Sequence, residues 1–327
     1  MMLDFSIANT KPYFKGGFPV TEIIEKLHHI TAIVGAPNQV LTFYRDILGL
    51  RLVKKTLNYD DPFTYHLYFG NNEADAGTII TFFPWENNRL GQLGDGQVAT
   101  TSFAIPTGSL DFWANRLEAK GIQFARGSRF NNETILVKDF HHLNIELVEK
   151  NWGKANTYAV DDITPETAIQ GFAGAVLYSH RPDHTVELFD QVFGWHKLGE
   201  DDQYIRLQAP GGRKEWLDIR KTADSFGTMA IGTVHHIAFE VADEEALTYW
   251  LEVAQQRGYH TSDIKNRDYF KSLYFRERGG ILIELATAGP GFTWNETVEE
   301  LGSQLFYPAK HEAIIDQIKA KLTPLDF

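Results

Sequence analysis

Apolar and polar positions along the 327-residue chain follow one pattern four times over. Each time, a short alternating run leads to apolar residues at helical spacing and then to three further alternating runs. This predicts a strand, a helix and three strands. The first unit spans about Leu27 to Pro84, with Val40, Phe43, Tyr44, Ile47 and Leu48 as its helical stripe and Gly49 as its stop. The second spans about Val98 to Lys150, where Ser109 is placed to cap a helix carrying Leu110, Trp113 and Leu117. The third, about Gly171 to Lys221, carries Val186, Phe189, Val192 and Phe193. The fourth, about Gly232 to Thr287, carries Leu247, Trp250, Leu251 and Ala254.

Four such βαβββ modules are expected to pair into two curved, partly open sheets, with helices on the convex faces and clefts on the concave ones. This is an α+β architecture. The predicted division is an arm at 1–26, modules 1 and 2 at 27–150, a polar linker at 151–167, modules 3 and 4 at 168–288, and a tail at 289–327. The tail should end in a helix around His311–Leu322.

Composition narrows the function classes. The chain is 43% hydrophobic and 13% aromatic, as ordinary globular proteins are. A net charge of −12 argues against nucleic acid or an anionic membrane as partner, since both need clustered Lys and Arg. No apolar run approaches the roughly 18 residues of a membrane span. The N-terminal residues lack the basic and apolar regions of a secretory signal. Cysteine is absent, which removes disulfides and thiolate sites and fits a cytoplasmic location. A metal would have to be held by His, Asp or Glu.

The matched pairs His28-His29 and His235-His236 open the first strands of units one and four. Side chains alternate along a strand. Ile237, Phe239 and Val241 share a face with His235 and need the helix above them, which leaves His236 toward the cleft. By the same rule Ile30, Ala32 and Val34 go with His28, leaving His29 and Thr31 on the open side. In the last strand of unit four, Glu284 interrupts an apolar run, where a carboxylate is costly unless paired or bound to a cation. His29, His236 and Glu284 therefore form a candidate metal triad. Two imidazoles and a carboxylate are the ligand set of a non-heme Fe(II) site with open positions. Superposing Gly77–Thr81 on Gly280–Glu284 puts Thr81 where a symmetric fourth ligand would sit, so the metal should keep an open face, in a cleft built by modules 1 and 4. Units two and three cannot assemble the triad, although they carry Glu146 and Asp218 in their last strands. His141-His142 precedes a last strand and reads as a turn feature.

The segments Leu27-His-His-Ile-Thr31, Phe43-Tyr-Arg-Asp-Ile-Leu-Gly49, Tyr65-His-Leu-Tyr-Phe69, Thr81-Phe-Phe-Pro84, Val234-His-His-Ile-Ala-Phe239, Asn266-Arg-Asp-Tyr-Phe270 and Gly279-Gly-Ile-Leu-Ile-Glu284 carry a resemblance. Together they resemble the vicinal oxygen chelate superfamily of glyoxalases, bleomycin resistance proteins and extradiol dioxygenases, and within it the hydroquinone-type ring-cleaving dioxygenases. The resemblance implies a non-heme iron, extradiol-type oxidoreductase. It would join both atoms of O2 to a small hydroquinone-type or catechol-type diol, with Fe(II) on His29, His236 and Glu284. Mn(II) or another divalent ion can replace iron in a purified sample. It also implies that His28, Thr31, His235, Arg267 and Tyr274 surround the metal or the substrate. His235 is then a candidate acid/base, Tyr274 a hydrogen-bond donor and Arg267 a stabiliser of negative charge. Thr31 and Thr81 would shape the pocket, and Phe83 would pack on the ring. A homo-oligomer is left open. The rival readings are a glyoxalase-like metal-dependent lyase or isomerase and a metal-free protein that sequesters an aromatic compound or quinone.

Overall fold

Each of the four units folds as one strand, one helical segment and three further strands. The computed structural model describes residues 22–327, so most of the arm expected at 1–26 lies outside the described residues. The first unit supplies β1 (Leu27–Val34), β2 (Arg51–Leu57), β3 (Tyr65–Gly70) and β4 (Ile79–Pro84). The second supplies β5 (Gln97–Ile105), β6 (Phe124–Arg129), β7 (Asn132–Lys138) and β8 (Asn144–Glu149). The third supplies β9 (Gly171–Tyr178), β10 (His196–Glu200), β11 (Tyr204–Gln208) and β12 (Trp216–Arg220). The fourth supplies β13 (Thr233–Val241), β14 (Lys265–Asn266), β15 (Lys271–Arg276) and β16 (Leu282–Thr287), and β17 (Leu305–Phe306) follows in the tail.

Two curved sheets result, in a mixed α+β fold. The nine-stranded sheet runs β14-β15-β16-β13-β1-β4-β3-β2-β17 and joins the first unit to the fourth. The eight-stranded sheet runs β10-β11-β12-β9-β5-β8-β7-β6 and joins the second to the third. Antiparallel pairing at the seams, β1 with β13 and β5 with β9, relates the two halves of each sheet by a local twofold axis.

Ile30, Ala32 and Val34 of β1 and Ile237, Phe239 and Val241 of β13 face the helices and are buried in one continuous apolar core. The helical segments of units one and three are wider than expected. Pro37–Val40 runs into a π-helix at Leu41–Ile47, and Pro182–Glu187 into one at Leu188–Val192. The Leu48 N–H reaches the Phe43 carbonyl at 2.9 Å, and the Phe193 N–H reaches that of Leu188 at 3.0 Å. In both, the wide turn leaves consecutive bulky residues, Phe43-Tyr44 and Leu188-Phe189, buried together.

Ser109 does not cap its helix. Its hydroxyl donates to the Pro106 carbonyl at 2.6 Å, and the Glu149 carboxylate takes the Leu110 N–H at 2.9 Å instead. Residues 151–167 are irregular but packed. Trp152, Asn156 and Ile163 are buried, and the Trp152 indole donates to the Phe172 carbonyl at 3.0 Å.

The tail does more than end in a helix, which is short (Ile315–Lys319) and preceded by a 3-10 turn. β17 extends the large sheet beside β2, and the buried Lys54 of β2 forms an ion pair with Glu296. Among the described residues, no helix is long and apolar enough to cross a membrane.

Candidate metal centre

The seam of the large sheet places the histidines. Ile30 of β1 stands opposite Ile237 of β13, with His29 opposite Ala238 and Thr31 opposite His236 on either side. His29 and His236 are therefore twofold equivalents. Parallel pairing of β13 with β16 sets Glu284 beside Ala238. The three side chains converge. His29 Nε2 lies 3.2 Å from His236 Nε2 and 3.2 Å from Glu284 Oε2, and His236 Nε2 lies 2.8 Å from the same oxygen. All three residues are buried.

These separations fit a shared cation. Donors about 2.1 Å from one ion and at right angles to each other stand about 3 Å apart. Without a cation, the two Nε2 atoms would crowd a buried carboxylate oxygen that has no conventional hydrogen bond of its own. Burial alone would push the Glu284 carboxyl up, but the facing imidazoles outweigh this and hold it well below the usual carboxylate range. Burial also lowers His236 from its ordinary value. An ionised carboxylate and a neutral imidazole are the protonation states that metal binding needs. The second oxygen of Glu284 accepts from Ser272, two residues before Tyr274 on β15.

His28 and His235 require a correction. Strict alternation puts them on the helix-packed face, yet both stand on the cleft side beside the ligands. The register shows why. Between Leu27 and His29, β1 spends one residue more than β13, and between Val234 and His236, β13 spends one more than β1. His28 and His235 are the extra residues of two twofold-related β-bulges, and a bulge re-aims its side chain. The Nδ1 atoms of His28 and His29 are 2.8 Å apart, as are those of His235 and His236. With its Nδ1 proton given to His28, His29 keeps its Nε2 lone pair free, and His28 in turn bonds to the Thr287 backbone. A histidine ligand oriented through its other nitrogen is a common device at metal sites. Burial lowers both outer imidazoles to about 3, so they stay neutral.

A cavity of about 310 Å³ opens over His29 and His236. His235, Phe83, Arg267 and Tyr274 line it, with Asn58, Tyr59, Asp60, His66, Trp85 and Phe270 among the rest. Tyr274 is paired with Glu284 in register and hydrogen-bonded to Arg267; burial pushes its phenol up, so it is a donor and not a base. The Arg267 guanidinium lies 5.2 Å from the Tyr59 ring centre and 5.3 Å from that of Tyr274. Phe270 packs on His28 and His29, with ring centres 5.0 and 5.2 Å away, and seals His28 from the cavity. Thr31 and Thr81 do not line the cavity. They are fully buried below it, with their hydroxyls 2.7 Å apart.

Ser272 carried no signal of its own in the sequence, and Phe270 entered only as the end of the Asn266–Phe270 segment, without a role. Alternation along β15 from Tyr274 would have found Ser272, and Phe270 only once Tyr274 was placed.

The smaller sheet repeats the seam without the imidazoles. Its bulge residues are Ala99 and Ala173, and Thr100 and Gly174 stand where the ligand histidines would be. Glu146 and Asp218 occupy the two carboxylate positions. Arg129 bridges them, 2.6 Å from Glu146 and 2.5 Å from Asp218, and Arg206 makes a two-pronged bond to Asp218. A guanidinium thus sits where the other cleft offers a metal seat.

Comparison with known proteins agrees with this geometry. The sequence profile of the "Glyoxalase/Bleomycin resistance protein/Dioxygenase superfamily" matches residues 26–147 and 171–285. The chain is 43% identical over 300 residues to the Bacillus subtilis (strain 168) protein named "Putative ring-cleaving dioxygenase MhqO", covering 92% of this chain and 96% of that one. It is 32% identical over 310 residues to a chlorohydroquinone/hydroquinone 1,2-dioxygenase of Sphingobium indicum, covering 91% and 95%. A crystal structure of a "putative dioxygenase" from Bacillus subtilis superposes with a TM-score of 0.92 at 42% identity, covering 94% of this chain and 99% of that one. Four βαβββ units, a seam that brings two histidines and a glutamate together, and relatives aligned nearly end to end all point the same way: the chain belongs to the glyoxalase/bleomycin resistance protein/dioxygenase superfamily.

Proposed function

We propose that this protein is a ring-cleaving dioxygenase that uses Fe(II), held by His29, His236 and Glu284, to open a hydroquinone-type diol with O2. The observation that carries the reading is the one-sided triad. Three donors lie together, and the place of a fourth is taken by a threonine hydroxyl that bonds to its neighbours. Two imidazoles and one carboxylate with open positions suit iron–oxygen chemistry, whereas a closed set of four suits a structural or lyase-type ion. When bound, ferrous iron supplies a meeting point for O2 and the diol and a path for electrons between them.

The chain's own groups do the rest. The cavity, near the lower end of the roughly 300–1,000 Å³ range of small-molecule pockets, suits a single aromatic ring. Phe83, Phe270 and Trp85 offer it apolar faces and exclude water. The neutral His235 can accept a hydroxyl proton. Tyr274 donates to a developing oxyanion, and Arg267 adds positive charge beside it. The name of the Sphingobium relative supports a para-diol over a catechol.

The test is oxygen uptake by anaerobically ferrous-loaded protein on addition of hydroquinone, methylhydroquinone, chlorohydroquinone or catechol. About one iron per chain and stoichiometric O2 consumption with a para-diol are expected. Binding without oxygen consumption sinks the reading in favour of a sequestering protein, and turnover of a hemithioacetal with zinc or nickel sinks it in favour of a lyase.

A further inference from the structure

Below the cavity, a line of buried polar side chains leads away from the candidate metal centre. His66 faces the cavity from β3. Its Nε2 is 2.8 Å from the Thr81 hydroxyl, and its Nδ1 is 2.6 Å from that of Tyr68, whose ring is tilted over the imidazole at 3.9 Å. The Tyr68 hydroxyl also bonds to Thr56. Thr56 lines a second chamber of about 240 Å³, separated from the first by Tyr59, which lines both. His66, Tyr68, Thr81 and Thr56 are all buried.

A buried imidazole with a partner at each nitrogen has two neutral forms. Either Nδ1 carries the proton and Nε2 accepts, or the reverse. The groups in hydrogen-bond or ring contact with His66 are two hydroxyls and the Phe83 ring, and burial with the nearby His29 and His236 outweighs the more distant Glu284 and keeps an imidazolium unfavourable. A proton arriving at one nitrogen is therefore retained only if another leaves from the second. Thr81 has an alternative acceptor in Thr31, 2.7 Å away, so its hydroxyl can turn and free Nε2.

We infer that His66 and Tyr68 form a proton relay that carries one of the two hydroxyl protons of a bound diol, the one that His235 does not take, from the cavity to the second chamber. The inference rests on the reading of the site as diol-binding. The diol O–H bond breaks as an N–H bond forms at His66 Nε2. The Nδ1 proton passes to the Tyr68 oxygen, and the Tyr68 proton leaves toward Thr56 and the chamber beyond. One proton enters, one leaves, and His66 ends neutral as the opposite tautomer. His66 is the catalytic member, while Thr81 is a positioning residue that holds its edge.

Tyr68→Phe keeps the ring and removes the link. Ferrous-loaded protein mixed anaerobically with methylhydroquinone in weak buffer containing a pH indicator reports proton release directly. In the variant, release should slow at least tenfold while diol affinity stays within twofold. The proton inventory of turnover in H2O/D2O mixtures, curved for the parent protein, should become linear. Release and inventory unchanged in Tyr68→Phe overturn the relay. A second readout needs no diol. In zinc-loaded, 15N-histidine-labelled protein, His66 should be one neutral tautomer and become a mixture in Tyr68→Phe. A charged His66 at neutral pH, or a pattern indifferent to the substitution, overturns the relay even if no diol binds. Oxygen uptake by the parent protein judges the functional reading separately.

Discussion

Thr81 is the twofold counterpart of Glu284. Thr81 pairs with Thr31 across β4 and β1, as Glu284 pairs with Ala238 across β16 and β13. The two halves of the large sheet therefore differ by one carboxylate at the candidate metal seat, and that difference would leave a bound ion a free side. Thr81→Glu should restore the fourth donor. Zinc or nickel should then survive chelator challenge at least tenfold better than in the parent, and oxygen uptake with iron should fall by on the order of a hundredfold. Metal retention and uptake measured on one preparation check this, with circular dichroism to confirm the fold. Unchanged oxygen uptake would show that the free side is not where the chemistry happens.

The bulge histidines should separate metal binding from substrate handling. His28 is sealed behind Phe270, whereas His235 lines the cavity. Each orients a ligand histidine, so His28→Ala and His235→Ala should each weaken ferrous binding by about 10–100-fold. With iron held saturating, His28→Ala should regain most of its turnover and His235→Ala should not. Titration of iron against a competing chelator, followed by kcat at saturation, distinguishes the two.

Lys54 and Glu296 tie the tail to β2 in a buried pair, with the Lys54 ammonium 4.6 Å from the Phe306 ring centre. Removing one partner strands the other charge. Lys54→Met should cost about 3–5 kcal/mol of stability, and adding Glu296→Leu should recover much of that loss. Chemical denaturation of the three proteins measures both. A double variant no better than the single one would mean that packing, and not the stranded charge, sets the cost.

Glu215 gives the pH dependence a definite sign. It is fully buried, the Arg213 guanidinium comes no nearer than 4.0 Å, and burial outweighs the nearby Arg213 and Lys150 and pushes the carboxyl up to about 7. Between the ordinary carboxyl range and pH 7 the folded chain then holds a proton that the unfolded chain has lost, so this group's contribution to stability falls as pH rises through that window. Glu215→Gln removes the effect. The variant should match the parent near pH 5 and exceed it by about 1–3 kcal/mol at pH 8. Denaturant midpoints at the two pH values suffice. A larger gain at pH 5 than at pH 8 would reverse the sign and refute the argument.

Much of the architecture is legible in the sequence. The fourfold strand–helix–strand pattern, the core faces of β1 and β13, and His29, His236 and Glu284 as a set follow from side-chain alternation and the cost of burying a carboxylate. These are local rules, and residues a few positions apart carry all the information they need. The bulges escaped for the same reason. A one-residue surplus exists only relative to the partner strand, and nothing within Leu27–Val34 or Thr233–Val241 states it. The π-widened turns were hidden too, because a helical stripe looks nearly the same at either pitch.

The period of each element and the chemistry of the donors are therefore properties of short stretches of chain and can be read without the fold. Tertiary structure alone decided which residues meet. It turned His28 and His235 toward the cleft, laid Phe270 across His28 and His29, buried Thr31 and Thr81 below the cavity, and brought Tyr68, His66 and Thr81 into one line. It also delivered Arg129 onto Glu146 and Asp218, filling with a guanidinium the seat that its sister cleft leaves to a metal. Each of these depends on register between strands far apart in sequence, which is set only when two curved halves close on a common core.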